Sequence, residues 1–208
     1  KTSKKNGVSI GAHPSFNDPK NFGRKRINLN SSEIKKLIID QYVVLQNLAL
    51  EQNEKVTHIK PHGALNNMAC EDSELAMTLA NTIYGIDKDI IYLVPTGSKM
   101  QIAAKKLDMK IACEIFADRN YEDNGTLVSR LKPNALILDP NIAKEHVLNM
   151  VKTQSLNCLS GKKIPCEIDS ICIHGDNKSS LDTAKVIKQK LADNGLKLKA
   201  LNKMTKFI

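Results

Sequence analysis

Short apolar runs alternate along this chain with longer amphipathic ones, and that alternation restricts the fold more than any other feature. Val8 to Ala12, Val56 to Lys60, Ile90 to Val94, Lys110 to Ala117, Ala135 to Leu138 and Ser170 to Ile173 read as strands. Between them, helical spacing of apolar residues predicts a helix from a Ser31 or Ser32 cap to about Glu51, with Ile34, Leu37, Ile38, Val44, Leu45 and Leu48 near one face. Further helices are expected from about Asp72 to Ile83, from Gly97 and Ser98 to near Leu107, from about Asn141 to Val151, and from Ser179 to Asp193, closed by Asn194 and Gly195. A loop runs through Gly161 and Pro165, and the N-terminal KTSKKN reads as a solvated helix end. Strand and helix taken in turn imply a parallel sheet with helices packed outside it.

No Gly/Ser linker, low-complexity tract or repeat divides the chain, so residues 1–208 are expected to form a single domain. A length of 208 residues with 41% hydrophobic content supplies an adequate core. No apolar run approaches the roughly 18 residues a membrane span needs, and no signal peptide is visible. Lys1 is not the Met that starts a freshly made chain, and it is too bulky for routine removal of a Met ahead of it. The front of the protein is therefore expected to be missing.

A net charge of +9 invites a polyanion reading, but the composition of that charge opposes it. Of the 31 basic residues only Arg24, Arg26, Arg119 and Arg130 are Arg, whereas phosphate and base readers favour the bidentate guanidinium. The lysines are scattered, so the excess reads as surface charge, with no specific nucleic acid expected. Five cysteines (Cys70, Cys113, Cys158, Cys166, Cys172) without C-x-x-C spacing argue against a disulfide framework or a zinc knuckle. Cys113 and Cys172 fall in apolar runs, where a thiol behaves as a small hydrophobe, and a reducing cytoplasm is the expected location.

In parallel β/α folds, ligands gather beyond the carboxyl ends of the strands. His13, His62 and His174 occupy that position, each followed by Pro14, Gly63 or Gly175. One such histidine is commonly a loop or core residue; three at equivalent strand ends point to a shared polar site. In KIACEIFADR, strand alternation puts Glu114, Phe116 and Asp118 on one face, so two carboxylates and Arg119 approach one strand end. Such carboxylates can provide an acid and a base and Arg can clamp an anion, or the group is a structural ion-pair cluster. Lys60 shares its face with His58 and His62 and is either an anion binder or a solvated lysine. Asp176 can orient an imidazole, act as a base, or simply sit in a turn. His58 and His146 fall mid-strand and mid-helix and read as structural. No P-loop, dinucleotide fingerprint or nucleophile elbow is present. Three histidines and a carboxylate can also hold a divalent metal, which sequence alone leaves open.

Four segments carry a more specific signal: GVSIGAHPSF with D-x-x-x-FGR (Gly7 to Arg24), KPHGAL (Lys60 to Leu65), EIFADRNYEDNGTLVSR (Glu114 to Arg130) and ICIHGDN (Ile171 to Asn177). In this order they resemble the LamB/YcsF family, whose members include the A subunit of the bacterial ATP-dependent 5-oxoprolinase. The resemblance implies a seven-stranded β/α barrel of the glycoside hydrolase/deacetylase type, here lacking about the first two strands. It implies a hydrolase acting on the C–N bond of a cyclic amide, opening 5-oxo-L-proline to L-glutamate with subunits B and C. ATP would be a co-substrate through that complex. His13, His62, Asp118, His174 and Asp176 would be catalytic; Arg24, Lys60, Glu114, Arg119 and Tyr121 would bind substrate.

Asn66 stands where the family usually has Tyr, and Asn21 where Gly usually precedes FGR. The family's acidic D-L-G-E motif and C-G-F-H-A-G-D segment have no counterpart here. A truncated, catalytically inactive remnant is therefore the alternative expectation. A metal-dependent sugar deacetylase on the same fold is disfavoured by HPSF and DRNYEDNGTL.

Overall fold

The computed structural model describes residues 1–176 and 179–208; Asn177, the last residue of the ICIHGDN segment, and Lys178 lie outside the described residues. Contacts divide the chain into two units, Lys1–Ala112 with Ala200–Ile208, and Cys113–Lys199.

In chain order the first unit holds α1 (Thr2–Lys5), β1 (Ile10–Ala12), α2 (Ser31–Leu50), β2 (Val56–Ile59), α3 (Gly63–Glu71), α4 (Ser73–Ile86), β3 (Ile91–Pro95) and α5 (Lys99–Lys106). β1 pairs in parallel with β2, setting Gly11 opposite His58 and Ala12 opposite Ile59, and β2 pairs in parallel with β3. Ile34 and Ile38 of α2, Ile59 of β2, and Leu79 and Ile83 of α4 are buried. Full burial of each such side chain favours folding by about 1.5–3 kcal/mol. After the second unit the chain returns, and Leu201 and Phe207 pack on Ile91, Leu93 and Ala112.

Local chemistry explains where these helices start. Asn30 Oδ1 accepts the N–H groups of Ser32 and Glu33, each at 3.0 Å, and Glu33 Oε2 accepts the Asn30 N–H at 2.8 Å. This capping box makes Asn30 the cap of α2 rather than the expected Ser31 or Ser32, because both serines are already helical. Asp72 caps α4 through Glu74 and Leu75, and Ser98 Oγ accepts the Gln101 N–H at the start of α5. Helix α3 lies where the sequence pattern predicts only a connection.

Gly11 is needed for a close approach. A Cβ there would overlap the imidazole of His58, whose Nδ1 is hydrogen-bonded to Thr57 Oγ1 at 2.9 Å. Burial lowers the His58 pKa. Gly11→Ala is expected to cost about 1–3 kcal/mol in urea unfolding, the usual penalty for overfilling a packed site. Combining it with His58→Ala should recover at least about 0.5 kcal/mol relative to additivity; strict additivity would show that the ring is not what the added methyl meets.

Tyr92 N–H donates to Lys110 O at 2.8 Å as the chain enters β4 (Ile111–Phe116), all six residues of which are buried. From Cys113 onward this strand belongs to the second unit. There follow α6 (Pro140–Thr153), β5 (Ser155–Asn157), β6 (Lys163–Pro165), β7 (Ser170–Cys172) and α7 (Ser180–Asp193). β4 pairs in parallel with β7, setting Glu114 opposite Ser170 and Phe116 opposite Cys172. Val147 and Leu148 of α6 pack with Ile187 and Leu191 of α7 beside Ala117.

Two expectations change here. Ala135 to Leu138 is no sheet strand: it runs against the loop after β4, with Ile137 N–H donating to Asp118 O at 2.9 Å and Asn120 N–H to Ala135 O at 3.3 Å. The expected loop around Gly161 is an antiparallel hairpin, β5 with β6. The fold is α/β, with parallel pairs β1–β2, β2–β3 and β4–β7. Among the described residues no helix is long and apolar enough to cross a membrane.

Candidate functional site

Because β1 and β2 are parallel, their carboxyl ends lie together, and the chain puts a histidine just beyond each. The pairing continues past the strands, with Lys60 N–H donating to Ala12 O at 2.9 Å and His62 N–H to Pro14 O at 2.8 Å. His13 Nδ1 lies 2.6 Å from the Lys60 carbonyl oxygen. A carbonyl only accepts, so Nδ1 carries the hydrogen and Nε2 of the neutral ring keeps its lone pair. His62 Nδ1 is hydrogen-bonded to Ser15 Oγ at 3.2 Å, and the two imidazoles meet edge to face with centroids 4.9 Å apart.

Phe22 closes the other side of His62, again edge to face at 5.2 Å, and the Arg24 guanidinium lies over the Phe22 ring at 5.2 Å. The loop bearing Phe22 is docked on the start of α3, where Ala64 N–H donates to Gly23 O at 2.9 Å. Gly63 makes that docking possible. Its φ is +60°, and a Cβ would come within 2.5 Å of Gly23 O. His13, Ser15, Phe22 and His62 line one side of a cavity of about 900 Å³, with Glu33, Lys36 and Asp40 of α2 among the residues on the other. Lys60 is half-buried and Arg24 exposed at this strand end.

In the second unit the loop after β4 and the loop after β7 bring Asp118 to His174. The His174 Nδ1 lies 2.9 Å from Asp118 Oδ1 and 2.8 Å from Oδ2. The imidazole is stacked on Phe116 at 5.8 Å with 19° between planes, and Ser180 Oγ donates to the His174 carbonyl at 2.5 Å. A carboxylate on Nδ1 fixes the tautomer that leaves Nε2 to exchange a proton.

The other residues singled out from the sequence are placed differently. Glu114 is buried within β4. Arg119 is buried, and its guanidinium donates to the carbonyls of Ala135 at 3.2 Å and Val128 at 2.5 Å. Tyr121 is buried too, its hydroxyl oxygen accepting the Phe116 N–H at 2.8 Å, and burial raises its pKa. Arg119 and Tyr121 thus brace the segment that carries Asp118. Asp176 is exposed in the turn two residues after His174. His146 lies in α6, where burial lowers its pKa.

Ser15 and Phe22 join the histidines of the first unit, and Ser180 joins His174 in the second, without a sequence signal of their own. Ser15 and Phe22 belong to segments that carry one; nothing local marks Ser180, whose contact is with the chain six residues earlier. The five cysteines are not joined in disulfides, and burial pushes Cys70 up to about 12, far from thiolate chemistry. Among the described residues, no group of three or more His, Cys, Asp or Glu side chains is arranged to hold a metal ion.

The model of the LamB/YcsF family matches residues 1–206. Over 197 residues the chain is 42% identical to the 5-oxoprolinase A subunit of Rhodopseudomonas palustris, covering 94% of this chain and 78% of that protein. It is 43% identical over 198 residues to the 5-oxoprolinase A subunit of Campylobacter jejuni subsp. doylei, covering 95% and 78%. Its fold is similar to the crystal structure of a lactam utilization protein from Thermus thermophilus, with a TM-score of 0.87 and 29% identity over 95% of this chain and 79% of that one.

Proposed function

Since the chain belongs to the LamB/YcsF family, we propose that it is the A-type component of an ATP-dependent 5-oxoprolinase, hydrolysing the lactam of 5-oxo-L-proline to L-glutamate with subunits B and C. The family's seven-stranded β/α barrel and a cytoplasmic location go with this proposal. One observation carries it: in a chain about 40% identical to proteins named as 5-oxoprolinase A subunits, the strand-end histidines have oriented imidazoles, His174 on Asp118 and His13 on a carbonyl.

A lactam resists water because its nitrogen donates into the carbonyl, so ATP would supply activation by phosphorylating the amide oxygen. The water that adds to the activated carbon must lose a proton, the ring nitrogen must gain one as the C–N bond breaks, and a second water must then release phosphate from the resulting acyl phosphate to leave the glutamate carboxylate. His174 is suited to one transfer, since Asp118 holds Nδ1 and orients the ring. His13 and His62 are suited to holding water or moving a proton at the cavity in the first unit. Arg24 and Lys60 would hold the substrate carboxylate or the phosphoryl group. Asp176 remains in the proposal as a turn carboxylate near His174 in sequence, and Glu114, Arg119 and Tyr121 as support for the Asp118 segment.

The test is reconstitution with subunits B and C. Glutamate release should require 5-oxo-L-proline, ATP and all three chains; no release from the complete mixture would overturn the proposal.

A further inference from the structure

Phe22 adopts a backbone conformation that a bulky side chain rarely takes. Among the described residues, five other than glycine have positive φ: Phe22, Asn53, Asp108, Asn134 and Gln154. Three are Asn or Asp, which tolerate this region, and Gln154 ends α6; Phe22, at φ 55° and ψ 35°, ends the 3-10 turn Pro19–Asn21 and is the bulky aromatic among them. Strain of this kind is ordinarily offset by burial, but the Phe22 side chain is 59% exposed. Its described ring contacts are His62 on one side and the Arg24 guanidinium over its face. Both belong to the candidate site, and Phe22 itself lines the same cavity as His13 and His62. The loop has little freedom to turn the ring elsewhere. Gly23 O is held by the Ala64 N–H, and Phe22 N–H donates to Pro19 O at 3.1 Å. Rare backbone conformations of this kind cluster at active sites and ligand clamps.

We propose that Phe22 is an apolar wall of the substrate cavity, packing against the ring methylenes of the lactam while keeping Arg24 at the rim to meet the substrate carboxylate. This rests on the proposed 5-oxoprolinase function and adds a specificity-determining residue to it. A five-membered lactam has two faces of quite different demand: the amide edge needs hydrogen-bonding groups, and the two methylenes need an apolar surface. Phe16, Pro19 and Leu37 also give this cavity apolar lining, and Phe22 is the apolar side chain in ring contact with His62 there. The guanidinium over the ring, 5.2 Å from its centroid, keeps a cation beside this wall for the substrate carboxylate.

The decisive variant is Phe22→Gly, which removes the wall and relieves the backbone strain together. With subunits B and C present, KM for 5-oxo-L-proline should rise about tenfold, the lower end of what an apolar pocket contact is worth, with a smaller change in kcat. Thermal unfolding should occur at the wild-type temperature or about 2 °C above it, because the strained conformation suits glycine. Phe22→Tyr, which keeps the ring, should restore KM to within about twofold of wild type. A KM unchanged in Phe22→Gly, or a clear fall in its unfolding temperature, would overturn the inference and make Phe22 an ordinary structural residue. Absence of turnover by the wild-type chain would instead overturn the functional reading beneath it, so the two failures are distinguishable.

Discussion

Replacing Asp118 by Asn is expected to lower kcat for glutamate release by about 10²–10⁴-fold, the range carried by a positioned acid or base, with little change in KM. The carboxylate holds His174 Nδ1 through both oxygens, at 2.9 and 2.8 Å. Two acceptor oxygens require the ring hydrogen on Nδ1 and leave Nε2 open. Asn presents a donor as well as an acceptor, so the opposite tautomer becomes accessible and the imidazolium loses its counter-charge. The loop itself should survive, since it is braced by Arg119 on Ala135 O and Val128 O and by Ile137 N–H on Asp118 O, none of which uses the Asp118 carboxylate. Steady-state kinetics of the three-subunit mixture measure the effect, and unfolding temperature serves as the control. A kcat within about threefold of wild type would remove His174 and Asp118 from the proton-transfer steps.

His62→Ala should abolish turnover, with a loss of about 10³-fold or more. His62 sits at the meeting point of the first-unit site, bonded to Ser15 Oγ, edge to face with His13 and covered by Phe22. Removing it deletes a proton-carrying ring and withdraws support from both aromatic neighbours. The backbone there is anchored independently, by His62 N–H on Pro14 O and Ala64 N–H on Gly23 O, so the fold should persist. Added imidazole should restore measurable glutamate release if the ring acts chemically. Full activity in the variant would end the assignment; lost activity that imidazole cannot restore would reduce His62 to a positioning residue.

Elements with a strong local signal were legible in the sequence. Ser98 caps α5, α6 spans the expected stretch from about Asn141 to Val151, and α7 ends at Asp193 with Asn194 following, as patterning predicts. Elements whose state depends on a partner were not. Ala135 and Ile137 are buried while Leu136 and Leu138 are exposed, the alternation of a strand. That segment nonetheless spends its hydrogen bonds on the loop at Asp118 and Asn120 rather than on the sheet. The hairpin of β5 and β6 joins short polar-flanked segments whose pairing, Leu156 opposite Ile164, carries no periodic mark. Helix α3 begins at a glycine with φ +60°, a residue that normally argues for a turn.

The sequence by itself determined the alternation of strands and helices, and with it the strand ends at which His13, His62 and His174 stand. These follow from properties that act over a few residues: apolar periodicity, helix caps and turn formers. Only the tertiary structure decided what those histidines touch. His174 finds Asp118 across 56 residues, and His13 finds the Lys60 carbonyl across 47. It likewise decided the buried backbone contacts of Arg119 and Tyr121 in the loop after β4. The physical reason is that a side chain's partners depend on strand register and loop path, and those are fixed by packing of the whole unit rather than by the residues next to it in the chain.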